Sequence, residues 1–209
     1  MPIKNILFDL GNVLYDIDLD KTKLAIRELL GESFKNKESR DEILAVIKKF
    51  EVGKIKTVLF INGLLKYCGP EVQARDIINA WNEMLIGLPI HRLDLLDELN
   101  ENYNLYMLSN INELHVQGVE RTMATTISLE EFETKYFKQV FYSHEIGYSK
   151  PDKEAWQTVI DQAGIRPYET LFIDDMKDNV EGARKMGFHV QHHDPVNDIS
   201  DVIHSYLEK

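Results

Sequence analysis

The sequence predicts an α/β protein: a three-layer, Rossmann-like parallel sheet core with an α-helical bundle inserted after its first strand. Three observations carry this. Short apolar runs alternate with helix-length amphipathic segments through the second half of the 209 residues, as a parallel sheet with crossover helices requires. The stretch from about 18 to 86 reads as helix throughout. The strand-like runs also end in polar residues, at the edge where open parallel sheets bind ligands. The expected division is a core domain of residues 1–17 and 87–209 and a helical cap domain of 18–86.

In chain order, Ile3 to Phe8 is a short apolar run that stops at Asp9, the length of a buried strand. Asp18 or Asp20 can cap a helix that runs to about Leu30, and Gly31 ends it. Ser39 with Glu42 makes a capping box ahead of Ile43, Leu44, Val46, Ile47 and Phe50, and Gly53 stops that helix. Thr57 to Tyr67 follows, bounded by Gly69-Pro70, and a fourth helix carries Val72, Ile77, Ile78, Trp81 and Leu85.

After Pro89 the pattern changes. A helix with Leu93, Leu96 and Leu99 leads into the strand Leu105 to Leu108. Helices fill about 112 to 136, with Ser128 and Glu131 as another capping box. Val140 to Tyr142 is a strand, about 153 to 163 a helix, and Leu171 to Ile173 a strand. Asp178 with Glu181 can start the next helix, Phe188 to Gln191 is the final strand, and about 198 to 207 the closing helix.

Composition narrows the function classes. Hydrophobic residues make up 44%, enough for a core without disulfides, and the single cysteine, Cys68, has no partner within the chain. No apolar run reaches the roughly 18 residues of a membrane helix. The N-terminus enters a strand without a signal-like segment, so a cytoplasmic protein is expected. With 35 acidic against 24 basic residues and a net charge of −11, the surface repels nucleic acid backbones and anionic membranes. An anionic small substrate remains compatible if local positive charge or a metal offsets the field.

The chemistry concentrates at the strand ends: Asp9, then Ser109-Asn110, then Ser143, then Asp174-Asp175. Any one of these is commonly a turn or cap residue. Together they form a polar site in which three carboxylates repel one another unless a cation or protons intervene. An oxygen-only cluster of that kind suits Mg²⁺, which takes one or two carboxylates and a substrate phosphate. Lys150, before Pro151, is the cation near a strand end that can hold a phosphate and restrain the carboxylates.

Four ordered segments carry a resemblance: Phe8-Asp9-Leu10-Gly11-Asn12-Val13-Leu14, Leu108-Ser109-Asn110, Gly147-Tyr148-Ser149-Lys150-Pro151-Asp152 and Phe172-Ile173-Asp174-Asp175. They resemble the four motifs of the haloacid dehalogenase-like hydrolase superfamily, and Asp178 to Ala183 looks like the continuation of the fourth. The helical insert is similar to that family's type 1 cap. The Asp-Leu-Gly-Asn start resembles a branch that includes bacterial glucose-1-phosphate phosphatases, and it is similar to the phosphatase domain of soluble epoxide hydrolase. The resemblance implies that Asp9 attacks phosphorus and forms an aspartyl-phosphate, splitting one hard step into two. It implies that Ser109 and the Asn110 backbone cradle the phosphoryl oxygens and that Lys150 neutralises charge. It also implies that Asp9, the Gly11 carbonyl and Asp175 hold Mg²⁺, with Asp174 beside them or bound through water. The expected partner is a small phosphorylated metabolite, and the expected state is monomer or homodimer.

One position departs from the family. Its phosphatases usually carry Asp two residues after the nucleophile, as general acid and then base, and here that residue is Gly11. General acid–base help is typically worth ~10²–10⁴-fold, so the gap matters. Asp16 and Asp18, just downstream, are candidates to fill it. His115 lies near the phosphate-binding turn, His192-His193 reads as a surface pair, and Lys54 in the cap turn Glu51-Val52-Gly53-Lys54 is a specificity candidate. Three rival readings follow. A sugar phosphomutase needs the acid at position 11 to return the phosphoryl group, and Gly11 counts against it. A metal-independent haloacid dehalogenase is disfavoured by Asp174-Asp175. A low-activity phospho-ligand binding or regulatory protein is kept alive by Gly11.

Overall fold

The computed structural model describes residues 2–207. Its seven strands are β1 (Asn5–Phe8), β2 (Asp16–Ile17), β3 (Leu85–Gly87), β4 (Asn104–Ser109), β5 (Gln139–Tyr142), β6 (Thr170–Asp174) and β7 (His189–His192). The helices before residue 90 are α1 (Leu19–Leu30), α2 (Glu32–Lys35), α3 (Lys37–Glu51), α4 (Thr57–Leu65) and α5 (Ala74–Asn82). Those after it are α6 (His91–Asn100), α7 (Glu113–Met123), α8 (Leu129–Tyr136), α9 (Ser143–Ile146), α10 (Lys153–Ala163), α11 (Lys177–Lys185) and α12 (Ile199–Leu207).

Five strands form a parallel sheet in the order β5-β4-β1-β6-β7. Strand β1 is central, and Phe8 pairs with Met107 on one side and Ile173 on the other. Side chains alternate across the sheet, so its two faces feed two cores. Ile6, Phe8, Leu105, Met107, Leu171 and Ile173 pack with α6, α7, α8 and α12. Leu7, Leu108 and Phe172 point the other way, onto Trp156, Val159 and Ala183 of α10 and α11. Full burial of each such side chain contributes roughly 1.5–3 kcal/mol. That apolar demand on both faces is what makes these strands short continuous apolar runs.

Helices α1 to α5 build a third core of their own. Ile43, Phe50, Phe60, Leu64 and Ile77 are buried together with Trp81, and Leu114 of α7 joins them from the sheet side. Phe50 stacks on Phe60 at 4.1 Å, and Phe60 meets Trp81 edge-on at 4.7 Å.

Several expected boundaries move. Leu85 is not helical: it opens β3, which pairs antiparallel with β2 where the chain leaves and rejoins the sheet. A strand of two or three residues has no readable period, so the sequence pattern merges it with the neighbouring helix. Helix α3 starts before the Ser39 box, because Asn36 is the cap and its Oδ1 accepts from the Ser39 N–H at 3.1 Å. Asp178 is not a cap either: α11 starts after Met176, and Asp178 sits within its first turn. Asp18 does cap α1, and Ser128 caps α8. Among the described residues, no helix is long and apolar enough to cross a membrane.

Candidate active site

Because β1 lies between β4 and β6 in register, their carboxyl ends bring three segments together. Asp9 follows β1, and its N–H still bonds to the Ile173 carbonyl at 2.9 Å. Ser109 ends β4 and Asp174 ends β6. One ligand oxygen from each of Asp9, Asp174 and Asp175 lies within 4.8 Å of the others. Lys150 arrives from the loop after α9, and its Nζ donates to Asp9 Oδ1 at 2.6 Å and Asp174 Oδ2 at 2.7 Å. All four are withdrawn from water to some degree, and the Asp174 side chain is 0% exposed.

Electrostatics follow from this crowding. Burial foremost, then the repulsion of Asp174 and Asp175, pushes the Asp9 carboxyl up to about 7, against the opposing pull of Lys150. Burial also raises Asp175, with Asp174 adding to it and Asn12 and Lys150 opposing. Burial works to lower Lys150, but the attraction of Asp174 and Asp9 outweighs it and holds the ammonium above its ordinary value. Three carboxylates share one lysine, so the cluster lacks positive charge. An oxygen-only set with that deficit fits a hard divalent cation.

Two asparagines that carried no role in the sequence reading position these groups. Asn179 Nδ2 donates to both oxygens of Asp174, at 3.1 and 3.0 Å. Asn12 takes a left-handed backbone (φ 57°), donates from Nδ2 to Asp175 Oδ2 at 3.1 Å, and accepts the Ile17 N–H. Their signal in the sequence was only membership of the resembling segments, three residues after Asp9 and four after Asp175. Asn110 commits its side chain to Lys150, donating to its carbonyl and accepting from its N–H, both at 2.8 Å. Its side chain therefore sets the lysine, and its backbone remains for a ligand.

Asp9, Gly11, Ser109, Asn110, Lys150 and Asp175 all line one cleft of about 240 Å³ between the sheet edge and the helical insert. A larger chamber of about 540 Å³ shares Asn110, Lys150, His115 and Glu51 with it and runs under the insert, walled by Ile26, Phe34, Ile47, Trp81 and Met84. Insert and core are joined at this level. His115 stacks on Trp81 at 5.2 Å, and its Nε2 donates to the Trp81 carbonyl at 2.8 Å. Its Nδ1 then accepts from Asn112 Nδ2 at 3.0 Å, while Trp81 Nε1 donates to Asn112 Oδ1. Thr57 Oγ1 adds a bond to Glu113 at 2.6 Å.

Other expected candidates lie elsewhere. Ser143 follows β5 as the first residue of α9 and turns away from the cleft: it accepts the Ile111 N–H and donates to the Glu51 carbonyl, fastening the cap turn. Asp16 pairs with Arg92 at 2.8 Å, Asp18 is spent as a cap, and neither lines the cleft. Lys54 is exposed and lines neither cavity. His193 is not at the surface: it is fully buried, because β7 ends beneath it and its N–H bonds to the Asp174 carbonyl. His192 Nε2 contacts the Asp175 carbonyl at 2.9 Å. At Gly11, a Cβ would meet Ile17 Cδ1 at 2.7 Å, so an isoleucine occupies the space an acidic side chain would need.

Fold and cleft define an α/β enzyme whose polar centre sits at the carboxyl edge of a parallel sheet, beneath a helical insert. The chain belongs to the haloacid dehalogenase-like hydrolases: the model of that family matches residues 3–187. It is 29% identical over 192 residues to the D-ribitol-5-phosphate phosphatase of Bacteroides thetaiotaomicron, covering 89% of each chain. The HAD family enzyme bt-2542 of the same organism, solved as a magnesium complex, superposes with a TM-score of 0.83 at 32% identity, over 97% of this chain and 99% of that one. Its complex with magnesium and inorganic phosphate gives 0.79 at 32% identity, over 94% and 96%. L-2-haloacid dehalogenase from Xanthobacter autotrophicus shares the fold, with a TM-score of 0.56 at 20% identity over 91% of this chain and 77% of that one.

Proposed function

We propose that this hydrolase is a magnesium-dependent phosphatase that cleaves a small phosphomonoester, a sugar phosphate or similar metabolite, through an aspartyl-phosphate on Asp9. The observation that carries the reading is the cluster of Asp9, Asp174 and Asp175 within 4.8 Å, with Lys150 bound to Asp9 and Ser109 in the same cleft. Similarity to bt-2542, solved with magnesium and inorganic phosphate, supports it further.

In this account Asp9, Asp175 and the Gly11 carbonyl would hold Mg²⁺, with Asp174 beside them. The cation supplies positive charge for the phosphoryl oxygens and favours the ionised form of Asp9. Asp9 Oδ attacks phosphorus and the ester oxygen departs. Ser109 Oγ and the Asn110 N–H hold equatorial oxygens, and the Lys150 ammonium offsets the charge that accumulates there. Residues 18–86 act as the cap that closes the chamber and excludes water, and residues 1–17 and 87–209 act as the catalytic core.

The test is hydrolysis of para-nitrophenyl phosphate with and without Mg²⁺, beside Asp9→Asn. The expected result is metal-dependent release that Asp9→Asn abolishes. Equal, negligible release from both proteins, with a broad phosphometabolite panel also silent, sinks the phosphatase reading and favours a phospho-ligand binding protein.

A further inference from the structure

A departing alkoxide must gain a proton, and the water that later attacks phosphorus must lose one. The turn after Asp9 supplies no acid, since position 11 is glycine and Ile17 fills the space beside it. The groups lining the cleft can be taken in turn. Asp9 and Asp175 belong to the carboxylate cluster, and Lys150 is held between Asp9 and Asp174. The Tyr15 hydroxyl is bonded to Thr122 at 2.6 Å. His115 has both ring nitrogens committed, and burial holds it neutral, down to about 4. Deeper in the chamber, Lys23 is paired with Asp20 at 2.9 Å, and Arg27 lies over the Phe34 ring at 5.5 Å.

Glu51 remains. It lines both the cleft and the chamber, and among the described residues its carboxyl has no hydrogen-bond or ion-pair partner. Its backbone is fixed against the core rather than left to the insert. Ser143 Oγ donates to the Glu51 carbonyl at 2.7 Å. Two residues on, Gly53 has a left-handed φ of 66° and lies so close to the His144 carbonyl that any Cβ there would clash. The turn thus delivers one free carboxyl to the junction of the phosphate cleft and the leaving-group chamber.

We propose that Glu51 is the general acid of this phosphatase and then its general base. As the Asp9 oxygen bonds to phosphorus, the bond from phosphorus to the ester oxygen breaks, and that oxygen takes the Glu51 proton and leaves as alcohol. Water then enters the vacated position and bonds to phosphorus, giving its proton back to Glu51, while Asp9 departs as carboxylate and inorganic phosphate is released. Burial of its carboxyl against the cleft walls raises Glu51 above its ordinary value, with Lys48 on its own helix opposing, although the residue as a whole keeps an exposed side open to water. The other charged groups bordering these cavities are Lys23 and Arg27 from α1 and Lys150, Asp9 and Asp175 from the core. The proposal rests on the phosphatase reading above.

The experiment compares the wild-type enzyme and Glu51→Gln on para-nitrophenyl, phenyl and benzyl phosphate with Mg²⁺, three esters of similar size whose leaving groups grow steadily more basic. The expected loss in kcat/KM, which reports the transfer to Asp9, grows along the series, from a few-fold on the nitrophenyl ester to ~10²-fold on the benzyl ester. The kcat falls on every ester, because the water step loses its base, and the alkaline limb of the benzyl profile disappears. Glu51→Asp should recover part of the benzyl rate. An equal loss in kcat/KM on all three esters, or no loss on any, overturns the proposal while leaving the phosphatase reading intact. Silence of the wild-type enzyme on all three and on a phosphometabolite panel removes both.

Discussion

At the phosphate end of the cleft every charged group is spoken for. Lys150 bridges Asp9 and Asp174, Asn179 holds Asp174, Asn12 holds Asp175, and Asn110 pins the lysine's backbone. Toward the cap, the walls are Ile26, Phe34, Ile47 and Trp81, the polar groups of Asn112 and His115 are spent on one another and on Trp81, and Glu51 alone presents a free carboxyl. The contrast separates two tasks. A buried, fully bonded polar network fixes geometry for chemistry on a group common to all phosphomonoesters. In the proposed reaction an apolar chamber with few free polar groups would meet the variable alcohol, and Glu51 would move the proton.

Substitution at the phosphate end carries the larger expected effect. Lys150→Met should cut kcat on para-nitrophenyl phosphate by about 10³-fold or more, because two buried carboxylates lose their shared cation and the transition state loses a positive charge. A rate at saturating Mg²⁺ within tenfold of wild type, with an unchanged circular dichroism spectrum, would show that the metal alone suffices there.

The cap end yields a smaller, pH-dependent effect. His115 is depressed to about 4 from an ordinary value near 6.5, so the unfolded chain binds more protons between those limits. The stability that neutral His115 contributes is complete above about pH 6.5 and is lost as pH falls toward 4. Relative to His115→Gln, the wild type should lose about 2 kcal/mol more between pH 7 and pH 5. Urea midpoints at the two pH values check this, and parallel losses in both proteins contradict it.

How much of this was legible in the sequence differs between the same two ends. The sheet and its strand-end residues were readable because doubly buried strands must be short apolar runs, and Asp9, Ser109 and Asp174 follow directly on them. The bonds of Asn12 and Asn179 were not, since an asparagine in a loop or a first helical turn looks like any turn or cap residue. At the cap end less was visible. Ile17 beside Gly11, Trp81 on His115, and Ser143 turned onto Glu51 join positions far apart in the chain, and no local pattern encodes them. Lys54 drew attention as the cationic residue of the cap turn, yet Glu51 is the one that faces the cleft.

The proposed chemistry stands or falls on Asp9 carrying the phosphoryl group. Rapid acid quench of the enzyme during turnover of para-nitrophenyl phosphate with Mg²⁺, followed by peptide mapping, tests it directly. The account predicts a base-labile phosphoryl adduct on the peptide containing Asp9, forming as fast as nitrophenol appears and absent from Asp9→Asn. Sustained metal-dependent turnover by Asp9→Asn, with no adduct on either protein, would contradict it.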